Sequence, residues 1–369
     1  MEYGEEIARP VVAVSASQWR RSFPYLRSLV QLAIAAVLLG ALLWRVDLGA
    51  VRDDLADATL WWLPLAFVAN LASDWFRAIR WQQFFVPLKR LSVPFLFGTA
   101  VLGVACNIAL PLRAGEVVRV QVLRRRTGLR VSEIVATLLS EKLMDIVAFS
   151  SFIVLGLVIY EEARFMWPLA IAYGGVLGAG IYGARWLARR SREEPPLFGQ
   201  PEGRWRAWIA TEVRSIGHGL QSFRSARTLG LVSVASICAW LCEAVLYYAC
   251  GQALGLDVPV VVYLLVVVTA TIAVSVPVTQ AGLGVFELAI TGLLVAFGVG
   301  ESEAATFSIF SHVMLALPYI CSGPIAAIAL RLSISDILFL RVGGNAQTEP
   351  EAAEARTGTS GLPVRSADD

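Results

Sequence analysis

The sequence predicts an all-α integral membrane protein of about six full transmembrane helices plus two re-entrant helical hairpins in an inverted repeat. Three observations lead there. Hydrophobic residues make up 57% of the 369 and charged ones 16%, against roughly 45–50% and about 25% in soluble chains, and the mean hydropathy is +0.64. Apolar runs long enough to cross a ~30 Å hydrocarbon core recur along the chain. Two further apolar tracts run instead into polar breaks that contain Pro and Gly.

The full spans are read at 28–45, 60–79, 132–159, 164–187, 228–254 and 304–331. The positive-inside rule orients them. Arg9, Arg20, Arg21 and Arg27 precede the first span, and Asp47, Asp53, Asp54 and Asp57 outnumber Arg52 after it, which puts the N-terminus in the cytoplasm. Arg80, Lys89 and Arg90 then fall in a cytoplasmic loop, and so must the "RRRTGLR" that follows residue 123. The chain therefore enters and leaves the membrane from the same side between 93 and 130. Its returning arm, 114–123, is only about 15 Å long at 1.5 Å per residue, so a re-entrant hairpin with its tip at Asn107 to Arg113 is expected. Glu161, Glu162, Asp257, Glu301 and Glu303 lie outside and Arg185 to Arg192 and Arg331 inside, which makes 259–298 a second such excursion, entered from the outer face.

The order span, span, hairpin, span thus occurs twice, in 28–159 and 160–332, with opposite orientation. Transporters with inverted repeats bring broken helices together near the midplane in this way. An ordinary bundle of eight complete helices has the same parity. Outside the 28–332 transmembrane domain, 1–27 is read as a cytoplasmic tail with an uncleaved first span. Residues 333–369, rich in Gly, Ala, Glu and Ser, are read as a disordered cytoplasmic tail. Within 188–227, Trp205, Trp208, Ile209, Val213, Ile216, Leu220 and Phe223 recur at helical spacing among Arg204, Arg206, Arg214 and Arg224. This describes a basic amphipathic helix on the cytoplasmic leaflet, with a soluble coiled-coil contact as the alternative.

The two breaks carry the distinctive residues. "NIALPLRAGEVVR" holds Asn107, Pro111, Arg113, Gly115, Glu116 and Arg119; "SEKLMD" holds Glu141, Lys142 and Asp145; "VPVTQAGLGVFE" holds Pro277, Gln280, Gly282, Gly284 and Glu287. A break at Pro111 leaves a short helix starting near Ala114 with its unpaired N–H groups and positive dipole end at mid-membrane. The Gly282–Gly284 turn starts another that points to the same place. With Arg113 added, this is the composition of an anion site, and the obvious anion in a membrane is a lipid phosphate. The alternative is that Arg113 neutralises Glu116 or Glu287.

These three stretches resemble the family of flippase-like membrane proteins related to the transmembrane domain of lysylphosphatidylglycerol synthase, over roughly 28–332. The resemblance implies a lipid-translocating domain in the inner (plasma) membrane of a bacterium or archaeon. It implies binding of an anionic phospholipid or polyprenyl-phosphate lipid by the motif residues just named. Members associated with hopanoid and polyprenyl lipids also exist, so the particular lipid does not carry over. Where the family often has Glu-Arg, this chain has Glu141-Lys142, and Lys offers a point charge rather than a planar fork. A non-transporting accessory or scaffold protein of a glycolipid, hopanoid or phospholipid pathway is the rival reading.

No enzyme is expected: there is no Walker loop, no G-x-S-x-G and no His-rich metal spacing, and no soluble synthase domain is read after 332. No cofactor, metal or nucleic-acid partner is expected. Cys106, Cys238, Cys242, Cys250 and Cys321 read as buried structural thiols. Of the remaining membrane charges, Glu141 and Asp145 share a helix face and repel unless a cation or proton lies between them. Asp74 and Arg77 are read as pairing and snorkelling, and His312 as packing or making one interhelical hydrogen bond. Gly174 and Gly178 suggest close helix approach within the monomer, and the sequence allows a homo-oligomer.

Overall fold

The structure, a computed structural model, describes residues 16–110, 114–190, 215–217, 220, 223, 225–275 and 278–332. Pro111, Arg113 and Pro277, the amphipathic positions Trp205, Trp208, Ile209 and Val213, and the tail after 332 lie outside the described residues.

The described elements are helical throughout. They are α1 (Ala16–Arg45), α2 (Leu48–Ala56), α3 (Leu63–Phe85), α4 (Val93–Ala109), α5 (Ala114–Thr127), α6 (Val131–Ile159), α7 (Trp167–Arg190), α8 (Ala226–Ala253), α9 (Val260–Ser275), α10 (Val285–Ala296) and α11 (Glu301–Ala329). Local chemistry sets their starts. Pro occupies the first turn of α3 and α4, where its missing N–H costs nothing. Asp47 caps α2 by accepting from Gly49 N at 2.8 Å, and Ser225 caps α8 by accepting from Thr228 N at 3.2 Å. The first helix begins at Ala16, ahead of the tail boundary expected at 27.

By length and composition four described helices can cross a membrane, over Val131–Ile159, Glu161–Trp186, Ala226–Ala253 and Glu301–Ala329; Val30–Trp44 with Leu48–Ala56 makes a fifth if the bent pair is one span. The span expected at 60–79 is α3, whose 23 residues reach about 34 Å but carry Asp74, Arg77 and Arg80. Large apolar side chains face outward, among them Val37 at 70%, Ile171 at 70% and Ile328 at 76% exposed, as lipid contact requires. This is an all-α, multi-pass membrane protein.

Both expected breaks are present. Helices α4 and α5 fold back on each other so tightly that a Cβ on Gly115 would overlap the Gly103 carbonyl, and Gly115 N donates to Asn107 Oδ1 at 2.8 Å. Helices α9 and α10 also pack on each other, across a turn where Gly282 and Gly284 take φ of +83° and +81°. The halves pair in a matching way. With α3, α4, α5 and α6 exchanged for α8, α9, α10 and α11, each contact has its counterpart: α4 on α11 and α9 on α6, α3 on α4 and α8 on α9, α5 on α6 and α10 on α11, α3 on α6 and α8 on α11, with α3 on α8 as the shared seam. The match extends to glycines. Gly323 of α11 lets α4 approach at Ala105, and Gly156 of α6 lets α9 approach at Leu265.

Two apolar clusters fill the interior. One gathers Ala66, Phe149, Tyr247, Val266, Phe286 and Phe307, the other Trp81, Phe85, Leu96, Leu123 and Ile134. On α3, Asp74 and Arg77 fall between Ala69, which feeds the first cluster, and Ala78, which feeds the second. Two expectations are revised here. Among the described residues a Cβ on Gly174 or Gly178 would meet nothing within 4 Å, and the close approach on α7 is made by the nearby Gly180, at Leu143. Phe223, assigned to a lipid-facing stripe, is fully buried and stacked on Phe84 at 6.0 Å.

Candidate functional site

The charged layer surrounds a cavity of about 220 Å³, more than ten times the ~10–15 Å³ needed for one water. Its polar wall starts on α3. Asp74, Arg77, Arg80 and Trp81 are spaced by three, three and one, which spreads them over a single broad face of the helix. Arg80, 1% exposed, donates to Asp145 Oδ1 at 2.6 Å and Ser236 Oγ at 3.0 Å and lies 3.7 Å from Glu141. Arg77 pairs with Glu243, lies 4.0 Å from Asp74, and stacks over Trp240 at 4.1 Å.

Helices α5, α6 and α8 close the network. Arg119 donates to Glu141 at 2.8 Å and Glu116 at 3.4 Å and stacks on Trp81 at 4.2 Å. Trp240 Nε1 donates to Asp145 at 3.0 Å. The result is one continuous chain of side chains: Glu116, Arg119, Glu141, Arg80, Asp145, Trp240, Arg77 and Glu243. An isolated charge at such depth costs several kcal/mol. Here each guanidinium meets at least one carboxylate, and Trp faces supply the remaining contact.

The expected site residues distribute as follows. Glu116, Arg119, Glu141, Lys142, Asp145, Asn107, Gln280 and Gly282 line the cavity. The cation between Glu141 and Asp145 is Arg80, which neither the positive-inside argument nor the motif search placed in the membrane. Gly115 serves the α4–α5 contact. Gly284 serves contact with α1, since a Cβ there would come within 2.6 Å of Leu38 Cβ. Glu287, 3% exposed, accepts from Gly284 N at 2.6 Å and meets His312 Nδ1 at 2.7 Å. That is the one interhelical hydrogen bond read for His312, and it is His312 that reaches the cavity.

The two tips are joined. Gln280 Nε2 donates to the carbonyls of Ile108 at 3.0 Å and Leu110 at 2.9 Å, oxygens at the end of α4 that have no helical partner. This revises the bare anion site expected from the helix N-termini: the Gly115 N–H is held by Asn107 and the Gly284 N–H by Glu287. Asp74 and Arg77 are also revised. Asp74 is 2% exposed, so the pair forms the cavity wall and does not snorkel. Arg80, Trp240 and Glu243 are the residues that sequence reasoning left without a role in the site. The signal was the three-residue spacing of Asp74, Arg77 and Arg80, hidden because the span was ended at 79. Among the described residues no group of His, Cys, Asp and Glu could hold a metal.

Paired broken helices, matching halves and a buried ionic cavity define a class of multi-pass helical membrane protein with a polar interior. Residues 28–323 match the family described as lysylphosphatidylglycerol synthase TM region, and the chain belongs to that family. It is similar to glycosyltransferase AglD of Haloferax volcanii, 23% identical over 342 residues that cover 82% of this chain and 54% of that protein. It is also similar to a UPF0104 membrane protein of Methanothermobacter thermautotrophicus, 20% identical over 263 residues, 68% of this chain and 78% of that one. The chain thus spans about half the length of the first of these relatives.

Proposed function

We propose that this protein is a lipid translocase that carries a head group, of an anionic phospholipid or a polyprenyl-phosphate-linked lipid, through the charged cavity by alternating exposure to the two sides of a bacterial or archaeal plasma membrane. The observation that carries the reading is the ionic cavity itself. Charges buried in a membrane protein mark substrate or ion pathways, and this set lines a space walled by the breaks of two discontinuous helices, the position at which such folds bind. Arg77, Arg80 and Arg119 present guanidinium groups that can trade a carboxylate for a phosphate. Arg113, Pro111 and Pro277, outside the described residues, belong to this proposal through the motifs alone, as does a cytoplasmic side for both chain ends through the positive-inside rule.

The similarity to a protein named as a glycosyltransferase favours a second reading, an accessory membrane domain that presents a sugar-accepting lipid without moving it. Purified protein in proteoliposomes separates the two. NBD-labelled phosphatidylglycerol and an NBD-labelled polyprenyl phosphate should each be tested for protein-dependent loss of protection from external dithionite. Movement of either supports translocation. If neither moves faster than in empty vesicles, while a lipid still copurifies, the presenting role takes its place.

A further inference from the structure

The matching halves differ at one point that changes their chemistry. The third residue of α5 is Glu116, and one turn on stands Arg119, which bridges it to Glu141 of α6. The third residue of α10 is Glu287, one turn on stands Ile290, fully buried, and the residue of α11 that meets the acid is His312. In the first half the acid, its side chain 35% exposed, is balanced by a permanent cation. In the second its partner is a side chain that gains and loses a proton near neutral pH.

We propose that the Glu287–His312 pair is a proton-binding site on the cavity wall, and that its proton couples head-group movement to the proton gradient. The inference rests on the translocase reading above. With Glu287 ionised, Nδ1–H donates to its Oε1 and the other ring nitrogen takes a proton from cavity water. The imidazolium then faces Glu287 as an ion pair, and the same proton is returned to water on the opposite side, one per cycle. The charged groups that share the cavity with His312 are carried by α3, α5, α6 and α8, with the Tyr319 hydroxyl on α11 itself. Helices α4 and α9 contribute none, and the nearest from α2 is Asp54, bonded to Thr306, more than a turn from His312.

Charge balance supplies the coupling. Five carboxylates (Asp74, Glu116, Glu141, Asp145 and Glu243) face four basic side chains (Arg77, Arg80, Arg119 and Lys142) around the cavity. With Glu287 ionised beside them, neutral His312 leaves the site two charges negative and protonated His312 leaves it one charge negative, so the proton makes the site less repulsive to an anionic head group. By linkage the bound anion favours the proton equally. Stacking of the Phe286 ring on His312 at 4.2 Å fixes the imidazole in that position.

The chain has 2 histidines, so His218→Gln leaves His312 as the only one and its ring nitrogens can be followed by 15N NMR in detergent. The ring nitrogens are expected to change protonation state with pH in the unaltered pair and to respond differently in the Glu287→Gln variant; one fixed protonation state at every pH at which the protein stays folded overturns the proposal, whatever the transport variants do. In proteoliposomes carrying NBD-phosphatidylglycerol and an internal pH dye, an imposed pH gradient should change the rate of lipid movement by about fivefold or more. His312→Gln should lose that dependence and the accompanying proton flux. Lipid movement that ignores the gradient in the unaltered protein overturns the proton site alone, whereas no lipid movement under any gradient overturns the translocase reading and the coupling with it.

Discussion

Arg80 of α3 and Asp145 of α6 meet at 2.6 Å, with the Arg80 side chain 2% and the Asp145 side chain 9% exposed. A salt bridge this enclosed is weak evidence for stability as a pair, yet losing one partner strands the other. Arg80→Ala should therefore lower stability by about 3–5 kcal/mol, read from unfolding of the purified protein in detergent. Replacing both, as Arg80→Met with Asp145→Leu, should recover most of the loss. If Arg80→Ala unfolds like the parent, the two residues are not paired in the membrane.

The hairpin contact gives a contrast between glycines. Gly115→Ala forces a methyl into the Gly103 carbonyl and should cost about 1–3 kcal/mol, whereas Gly174→Ala meets open space and should be neutral or up to about 1 kcal/mol stabilising. The same unfolding measurement decides it. Equal effects at the two positions would contradict the folded-back arrangement of α4 and α5.

Orientation is tested by labelling. In a variant without native cysteines, a cysteine at the exposed Arg124 should react with an impermeant maleimide only from the cytoplasm, and one at the exposed Glu301 only from outside. Thr127 is a poor probe because it is 9% exposed and bonded to the Leu123 carbonyl. Reaction of both positions from the cytoplasm excludes an inverted repeat.

Arg113 carries the sharpest expectation from the sequence. Arg113→Ala should abolish lipid movement in a protein that still inserts and purifies, and Arg113→Lys should keep part of it, since the charge survives while the planar fork does not. Full activity in Arg113→Ala would remove that residue from the site and leave Arg77, Arg80 and Arg119 as the head-group contacts.

The breaks at 110–113 and 276–279 were legible because Pro and Gly interrupt apolar runs, a local signal. So was the shared face of Glu141 and Asp145, which follows from helical periodicity. Arg80 was not legible, because a charge near the end of an apolar window reads as the start of a loop, and only packing reveals that α3 continues to Phe85. Nor could periodicity pair Arg77 with Glu243: it assigns a residue to a face without saying which other helix that face meets. For the same reason the sequence allowed His312 one interhelical hydrogen bond without naming Glu287 as its partner.

The ionic layer constrains how the protein is made. Helix α3 leaves the ribosome with Asp74, Arg77 and Arg80, and each charge costs about 2.5–3.5 kcal/mol at the centre of a bilayer. Asp145 follows Arg80 by 65 residues and Glu243 follows Arg77 by 166. At about 5–20 residues per second, α3 waits on the order of ten seconds for its first counter-charge from another helix and longer for its second. Its lasting insertion is therefore a late, joint event with α6 and α8, and until then it depends on the insertion machinery or the membrane interface for shelter.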